Sequence, residues 1–393
     1  YACGGAPDSV DVSSRLLHHL GDTCEILFFL MGAMTIVEIV DANGGFYFVQ
    51  DALATKSKRT LLWRITFMTF ILSAILDNLT TSIVMIMVLR KLVADTNDRM
   101  CFGGMIIIAA NAGGAFSPIG DVTTIMLWIR GMISTGGVLS QLILPSIVSV
   151  VVAALCVQLY LKGELVAPKR DAAAPGEENN PDRMLILCLG VGGLIFVPIF
   201  RMLTGLPPFM GILLALGLLW LVSEYRCNKR LLMVDTSHLK VTTILSRIDM
   251  ATILFFLGIL MAVATLQETG VLTAFGAWLN EASDGNHYLV TGIIGVVSSI
   301  VDNVPLVAGC MDMYPIAATG DFAMDGLFWQ LLAYCAGVGG SMLIIGSAAG
   351  VVVMGLEKIS FGWYLRRFTW IAFVGYIAGI LMYALEAPFF HAA

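Results

Sequence analysis

Apolar stretches separated by short polar segments run along nearly the whole chain. They lie near residues 26–42, 66–89, 104–130, 137–162, 184–203, 207–225, 251–268, 288–311, 328–356 and 362–385. Several exceed the ~18 apolar residues that a helix needs to cross the hydrocarbon core of a bilayer. The pattern therefore predicts an all-α polytopic membrane protein.

Composition agrees with that fold class and disfavours several kinds of function. Of the 393 residues, 58% are hydrophobic and 13% are charged, whereas about a quarter of the residues in a soluble domain are charged. The 22 Lys and Arg against 28 Asp and Glu leave no basic surplus for binding nucleic acid. The eight Cys form no CxxC pair, and neither an HExxH nor a Walker A motif occurs. We expect neither an enzyme nor a protein with a resident cofactor.

Two of the apolar stretches cannot be continuous helices. The stretch 104–130 contains AANAGGAFSPIGD, and the stretch 328–356 contains AGVGGSMLIIGSAAG. Gly-rich or Pro-bearing backbone survives at membrane depth only where it is buried in protein or lines a cavity. Both stretches are therefore predicted to be broken helices.

The basic residues around 66–89 indicate how this stretch meets the membrane, because cytoplasmic loops collect Lys and Arg. They lie on both flanks: Lys56, Lys58, Arg59 and Arg64 before it, and Arg90, Lys91 and Arg99 after it. A single crossing would place one flank outside. The stretch is therefore predicted to enter and leave on the cytoplasmic side as a re-entrant hairpin, with Asp77 and Asn78 at its tip.

The stretch 288–311 shows the opposite distribution. No Lys or Arg occurs between Arg247 and Lys358, so both flanks are predicted to be external. This gives a second re-entrant hairpin, entering from the other face, with Asp302 and Asn303 at its tip.

Alternation of the remaining spans completes the predicted topology. The polar, Pro-containing segment 163–183 becomes a cytoplasmic linker, and both ends of the chain lie outside. Only three basic residues then fall on the outer side: Arg15, Arg130 and Arg201.

Short segments recur in the second half of the chain at a nearly constant offset of 225 to 227 residues. Three pairs match in order: SAILDN at 73–78 with SSIVDN at 298–303, GGAFSPIG at 113–120 with GGSMLIIG at 339–346, and ILFFLMG at 26–32 with ILFFLG at 253–258. Because the two hairpins enter from opposite faces, the repeat is predicted to be inverted. Inverted repeats with broken helices are an architecture of secondary transporters, which hold their substrate near the membrane midplane.

The repeat predicts the domain organisation. Residues 1–162 form the first repeat, 163–183 the linker and 184–393 the second, inverted repeat. Two apolar stretches precede the matching segments in the second half, whereas the first half offers only residues 1–22, and the chain starts with Tyr1 rather than Met. We therefore expect the natural polypeptide to extend about two spans upstream.

Three carboxylates fall within apolar stretches at the predicted breaks: Asp77, Asp121 and Asp302. A charge at membrane depth costs at least ~2.5–3.5 kcal/mol on insertion scales, so an intramembrane Asp indicates function. The alternative is that each Asp only caps the N-terminus of a half-helix. Capping applies best to Asp121, which is followed by Val-Thr-Thr. The twin positions at the hairpin tips favour an ion-binding role for Asp77 and Asp302.

Side chains with hydroxyl or amide oxygens surround these carboxylates in the sequence. They are Ser73, Asn78, Thr80, Thr81, Asn111, Ser117, Thr123, Thr124, Ser298, Asn303, Ser341 and Ser347. Such oxygen donors suit a small hard cation and not a soft metal. No Lys or Arg lies in the breaks, which disfavours an anionic substrate.

One carboxylate can serve two cations in turn. Burial disfavours the charged form of a carboxylate, and a bound cation favours it. Each Asp can therefore hold either Na⁺ or H⁺, and release of one permits binding of the other. The sequence predicts cation/proton exchange, with Asp77 and Asp302 as the principal shared sites and Asp121 as a third. Na⁺ is expected at the two hairpin tips.

The segments LDNLTTSIVM, NAGGAFSPIGDVTT and SIVDNVP resemble the signature segments of NhaD-type sodium/proton antiporters of the ion transporter superfamily. The resemblance covers nearly the whole chain. It implies a scaffold domain, a transport domain with two hairpins, homodimers and elevator-type movement. Carried over residue by residue, the family's ion-site positions fall on Ser73, Asp77, Asn78, Asn111, Asp121, Thr123, Thr124, Ser298, Asp302 and Asn303.

Three functions, two of them transport and one enzymatic, fit the sequence to different degrees. The first is an electrogenic Na⁺/H⁺ antiporter that also accepts Li⁺, expected in a bacterial inner membrane. The second is a Na⁺-coupled anion or arsenite-type carrier, although the tips lack the Ser-Asn-Thr motif of dicarboxylate carriers. The third is an intramembrane aspartyl protease, for which PIGD at 118–121 is a weak match to Gly-x-Gly-Asp because Pro118 replaces the first Gly.

Overall fold

The computed structural model describes residues 9–45, 53, 55–161, 163–165, 182–231, 240–246, 248, 250–270, 274, 278 and 281–391. The helices within these ranges are α1 Ser9–Ala42, α2 Lys58–Leu76, α3 Asn78–Leu92, α4 Thr96–Ala115, α5 Val122–Ile129, α6 Thr135–Tyr160, α7 Arg183–Thr204, α8 Pro208–Leu231, α9 Val241–Leu245, α10 Met250–Glu268, α11 His287–Val297, α12 Asn303–Met313, α13 Leu327–Gly339, α14 Ala348–Glu357, α15 Phe361–Arg367 and α16 Thr369–His391. The described part of the chain contains no β-strand, only isolated bridges. Of the predicted linker 163–183, residues 166–181 lie outside the described residues.

By length and composition, six of the described helices can span a bilayer: α1, α2, α6, α7, α8 and α16. Their outward faces carry large apolar side chains, and Leu159, Leu203 and Leu385 are each more than 70% exposed. Apolar surface on this scale suits hydrocarbon and not water. The chain is therefore an integral membrane protein, as predicted.

The first predicted hairpin is divided at its Asp. Helix α2 ends at Leu76 and α3 begins at Asn78, because Asp77 adopts φ 96° and ψ 160°, outside the helical region. The Asp77 side chain then caps α3 by accepting a hydrogen bond from Thr80 N. The predicted tip is thus the point where the helix breaks.

The two arms of this segment return to the same place. Lys58 Nζ at the start of α2 lies 2.7 Å from Asp98 Oδ2 in the first turn of α4. Arg90, in the last turn of α3, and Arg99, which follows Asp98 in the chain, both pair with the Glu357 carboxylate. The start of α2 and the end of α3 therefore both lie beside the first turn of α4. Helices of 19 and 15 residues that ran on in one direction would separate these ends by roughly 50 Å. The chain therefore reverses between α2 and α3.

The second predicted hairpin folds back in the same way. His287 at the start of α11 and Tyr314 directly after α12 both pack on Phe322 and Phe328, with ring centroids 4.8 to 5.9 Å apart. The entry and exit of the 288–311 segment thus lie together. Its break covers the residues between Val297 and Asn303.

The predicted broken helices are also divided. Helices α4 and α5 are separated by residues 116–121, and α13 and α14 by residues 340–347. Asp121 caps α5 through Thr123 N, and Ser347 caps α14 through Gly350 N. Each break therefore ends in a side-chain oxygen at the start of a new helix.

Contacts recur at the offset that the repeat predicts. Ser73 Oγ donates to Ala110 O at 2.5 Å, and Ser298 Oγ donates to Ala336 O at 2.8 Å. Each bond ties the end of a first hairpin arm to the central helix beside it, α4 in one half and α13 in the other. The paired positions differ by 225 and 226 residues.

Close backbone approach recurs as well. An added Cβ at Gly113 would clash with the Phe70 carbonyl, and one at Gly339 would clash with the Gly295 carbonyl. Only glycine allows α4 to lie this close to α2, and α13 this close to α11.

Two groups of helices build the fold. Helix α1 packs on α7, α8, α9 and α10, whereas α4 and α13 form the buried centre of the remaining helices. The two groups meet where α1 contacts α5, α2 contacts α7, and α10 contacts α12. The second group contains all the predicted site residues.

Candidate ion-binding site

Asp77 at the first tip is held chiefly by Thr80. Its Oδ1 accepts from Thr80 N at 2.7 Å, and its Oδ2 accepts from Thr80 Oγ1 at 2.9 Å. Capping, which the sequence favoured chiefly at Asp121, therefore applies to Asp77 too. A carboxylate offers about four acceptor positions, so Asp77 keeps acceptor capacity for a cation.

The first tip joins both broken helices through one buried amide. Asn111 of α4 is fully buried, and its Oδ1 accepts from Asn78 Nδ2 at 3.1 Å. Its Nδ2 donates to Ser341 Oγ and to Ser347 Oγ, both at 2.9 Å. We call Asn78, Asn111, Ser341 and Ser347 the Asn111 network. It brings together four predicted site residues from both halves of the chain.

The second tip meets the break of the first half. Asn303 Nδ2 donates to Asp121 Oδ2 at 3.1 Å, and both residues are buried. The repeat relates Asn111 to position 337, which is Gly. A Cβ at this position would lie 3.6 Å from Asp121 Oδ2, so Gly337 lies directly beside the carboxylate. The contacts of the two tips with the broken helices are thus related by the repeat, yet their chemistry differs. Asn78 at the first tip contacts a network of a neutral amide and two hydroxyls, whereas Asn303 at the second tip contacts a carboxylate.

Asp302 differs from the other two carboxylates because no side-chain capping bond holds it. It lies within electrostatic range of Asp121, as does Asp77. Asp121 therefore interacts electrostatically with both tip aspartates, and no Lys or Arg is among the predicted site residues.

The remaining predicted residues divide into two sets. Ser73, Ser298, Ser117 and Thr124 donate their hydroxyls to the backbone carbonyls of Ala110, Ala336, Ala74 and Asp121. Thr81 and Thr123 form the second set. Within the described part of the chain, Thr81 Oγ1 is buried without a hydrogen-bond partner, and the Thr123 side chain interacts with the Asp121 carboxylate. The first set fixes the backbone at the breaks, and the second places hydroxyl oxygens beside them.

Sequence reasoning missed Tyr364 of α15. It is fully buried, and its hydroxyl donates to Ser341 O at 2.8 Å. The bond holds the backbone of the α13–α14 break beside the Asn111 network. Nothing in the local sequence FGWYLRR distinguishes this Tyr from an interfacial aromatic residue.

Comparison with known proteins identifies the family. The family model described as CitMHS, citrate transporter, matches residues 17–331. "Sodium/proton antiporter 1" of Arabidopsis thaliana is 50% identical over 384 residues, which cover 96% of this chain. The chain spans 65% of that relative's length. "Na(+)/H(+) antiporter NhaD" of Alkalimonas amylolytica is 32% identical over 423 residues, covering 100% of this chain and 83% of the relative.

A solved structure supports the fold. The crystal structure of the Alcanivorax borkumensis YdaH transporter matches with a TM-score of 0.62 over 97% of this chain and 90% of its own, at 12% identity. The family and these relatives are transporters and not enzymes. The chain belongs to the NhaD-type sodium/proton antiporters, within the CitMHS family of membrane transporters.

Proposed function

We propose that the protein exchanges Na⁺ for H⁺ across its membrane, with both ions competing for Asp77, Asp121 and Asp302. The observation that carries this proposal is the meeting of each hairpin tip with a broken helix in a buried set of oxygen donors. The names of the relatives support Na⁺ and H⁺ as the exchanged ions. Li⁺ is included because it is, like Na⁺, a small hard cation that prefers oxygen, whereas K⁺ is larger.

The two tips divide the ion chemistry between them. The Asn111 network supplies neutral oxygens beside a single carboxylate, Asp77, which suits one monovalent cation. Around Asn303, the Asp121 carboxylate lies within electrostatic range of Asp302, and also of Asp77. Like charges disfavour ionisation of neighbouring carboxylates together, so binding of a cation among them favours release of a proton.

The movement follows from the two helix groups. The matched contacts at offsets of 225 and 226 residues support an inverted repeat with two re-entrant hairpins. We assign α1 and α7–α10 to a scaffold and the remaining helices to an elevator-type transport domain. The contacts of α1 with α5, α2 with α7, and α10 with α12 are then the surfaces that slide. A homodimer is an expectation from the family resemblance.

The host membrane is proposed from the relatives. Identity is 50% with the plant relative and 32% with the bacterial one. This favours a eukaryotic membrane over the bacterial inner membrane predicted from the sequence.

Everted vesicles test the proposed function. They are energised, and the dequenching of a ΔpH dye is recorded on adding Na⁺, Li⁺ or K⁺, with Asp77→Asn, Asp121→Asn and Asp302→Asn run in parallel. Dequenching by Na⁺ and Li⁺ but not K⁺, lost in all three variants, is expected. No cation response from protein that is present in the membrane would overturn the proposal.

The description of the matching family as citrate transporters favours a second candidate, a Na⁺-coupled anion carrier. The absence of Lys and Arg from the described site residues argues against it. Uptake of citrate or arsenite that depends on Na⁺, with no proton movement on adding Na⁺ alone, would support this candidate instead.

A further inference from the structure

A buried carboxylate lies at the far end of the helices that build the Asn111 network. The side chain of Glu357, the last residue of α14, is only 1% exposed. Its Oε1 lies 2.6 Å from Arg90 Nε, and its Oε2 lies 2.9 Å from Arg99 Nε. Arg90 also donates to the carbonyl of Leu356 at the end of the same helix. We call Arg90, Arg99 and Glu357 the Arg-Glu-Arg cluster.

The cluster and the Asn111 network are joined by three helices that pack on one another, α3, α4 and α14. Each helix has a network residue at one end and a cluster residue at the other: Asn78 and Arg90 on α3, Asn111 and Arg99 on α4, Ser347 and Glu357 at the two ends of α14. At 1.5 Å per residue, the two sets lie roughly 15–18 Å apart. The three helices are therefore tied together at both ends.

The placement of Glu357 is unfavourable by itself. The C-terminus of a helix carries partial negative charge, which repels a carboxylate. Replacement of a buried ion pair by apolar side chains is often neutral or stabilising, so such a pair is weak evidence for a contribution to stability. A role in fixing geometry explains the cluster better than a gain in stability does.

The cluster also connects the two halves of the chain. Arg90 and Arg99 precede the linker and Glu357 follows it, and the network likewise joins Asn78 and Asn111 to Ser347 across the halves. A shift of α14 along α3 by one residue would move Ser347 by about 1.5 Å. A displacement of that size exceeds the tolerance of a hydrogen bond.

We propose that the Arg-Glu-Arg cluster positions the Na⁺ site, a proposal that rests on the proposed Na⁺/H⁺ exchange. Glu357 is a positioning residue that sets the relative heights of α3, α4 and α14, and thereby the oxygens of Asn78, Asn111 and Ser347. It contacts no transported ion. Its loss therefore weakens Na⁺ binding without removing the carboxylates that carry charge.

Glu357→Gln tests this role, because it keeps the volume of the side chain and removes its charge. Apparent KM for Na⁺ and maximal rate are measured by dye dequenching in vesicles, and the rise in Tm on adding Na⁺ is measured on purified protein. Asp182→Asn is the matched control. It breaks the Asp182–Arg226 pair (3.1 Å) between α7 and α8, which carry no site residue.

The Na⁺ KM of Glu357→Gln is expected to rise roughly tenfold, as for losses of supporting contacts around bound ions. Added Na⁺ is expected to raise the Tm of this variant less than it raises the Tm of the wild type. Asp182→Asn is expected to keep the wild-type KM. The double variant Glu357→Gln/Arg90→Met removes one of the two guanidinium groups that lose their carboxylate partner. It provides folded protein if the single variant is unstable, and it is expected to show the same raised KM.

The outcomes separate this proposal from the function on which it rests. Wild-type protein without Na⁺-dependent proton movement would overturn both. Active wild type together with a wild-type Na⁺ KM in folded Glu357→Gln protein would overturn only the positioning role. An equal rise of KM in Asp182→Asn would also overturn it, since general destabilisation would then explain the effect.

Discussion

Asn111 offers the sharpest test of how the two halves cooperate, because three side-chain hydrogen bonds meet on it. Asn111→Ala removes all three and leaves the Asn78 amide and two Ser hydroxyls without their partner. At a net ~0.5–1.5 kcal/mol per hydrogen bond, the loss is about 1.5–4.5 kcal/mol. That loss acts on the free energy of unfolding. Because the same amide fixes the oxygens of the proposed Na⁺ site, the Na⁺ KM is expected to rise about tenfold as well, as for losses of supporting contacts around bound metal ions.

The measurement is Na⁺-dependent dequenching as a function of Na⁺ concentration, with membrane protein quantified in the same vesicles. Gln141→Ala serves as the control, because Gln141 of α6 is another buried amide, which accepts from Tyr383 OH at 3.2 Å outside the site. Its loss is expected to lower Tm and to leave KM within twofold. An Asn111→Ala protein that folds and keeps the wild-type KM would refute the assignment of the network as a Na⁺ site.

Three further predictions follow from the contacts of the site. Asp77→Ala is expected to destabilise the protein by about 1 kcal/mol, because the N-cap of α3 is lost. Asp302 makes no side-chain capping bond, so Asp302→Ala is expected to leave the Tm in thermal melts nearly unchanged. Both variants are expected to abolish exchange. Gly337→Ala places a methyl group 3.0 Å from the Ala115 Cβ, beside Asp121, and is expected to slow exchange several-fold. Gly217→Ala, whose methyl group has nothing within 4 Å, is the control and is expected to leave dequenching unaltered. Equal rates in the two variants would contradict the prediction that the added methyl group crowds Asp121. Tyr364→Phe loses the hydrogen bond to the Ser341 carbonyl. It is expected to lower the stability derived from thermal melts by about 0.5–1.5 kcal/mol and to raise the Na⁺ KM. A lowered Tm without any change of KM would show that Tyr364 contributes to packing only.

The helix breaks could be located from the sequence because their causes are local. Polar Asp77 and Asn78 interrupt an apolar stretch that is flanked on both sides by basic residues, and the chain does break at Asp77. The Gly-rich segments likewise predicted the interruptions after α4 and α13. Short-range composition was enough in these cases.

The pairing of tips and breaks could not be predicted, since it depends on packing between residues more than 180 positions apart. The offset of the repeat relates Asp77 to Asp302, but it does not say that Asn303 bonds Asp121 or that Asn111 bonds Ser341 and Ser347. Distance in sequence also concealed Glu357. It follows an apolar stretch and precedes a Lys, as an ordinary interfacial charge would.

Competition between Na⁺ and H⁺ for the same carboxylates is tested most directly by proton release. NaCl, LiCl or KCl is added to purified protein in weakly buffered detergent, and a pH indicator records the protons that leave. Release on adding Na⁺ and Li⁺ but not K⁺, reduced in Asp77→Asn, Asp121→Asn and Asp302→Asn, is the predicted result. The Na⁺ affinity is expected to fall as the pH is lowered. Na⁺ binding that raises Tm but releases no proton, with the same affinity at every pH, would contradict exchange at these residues.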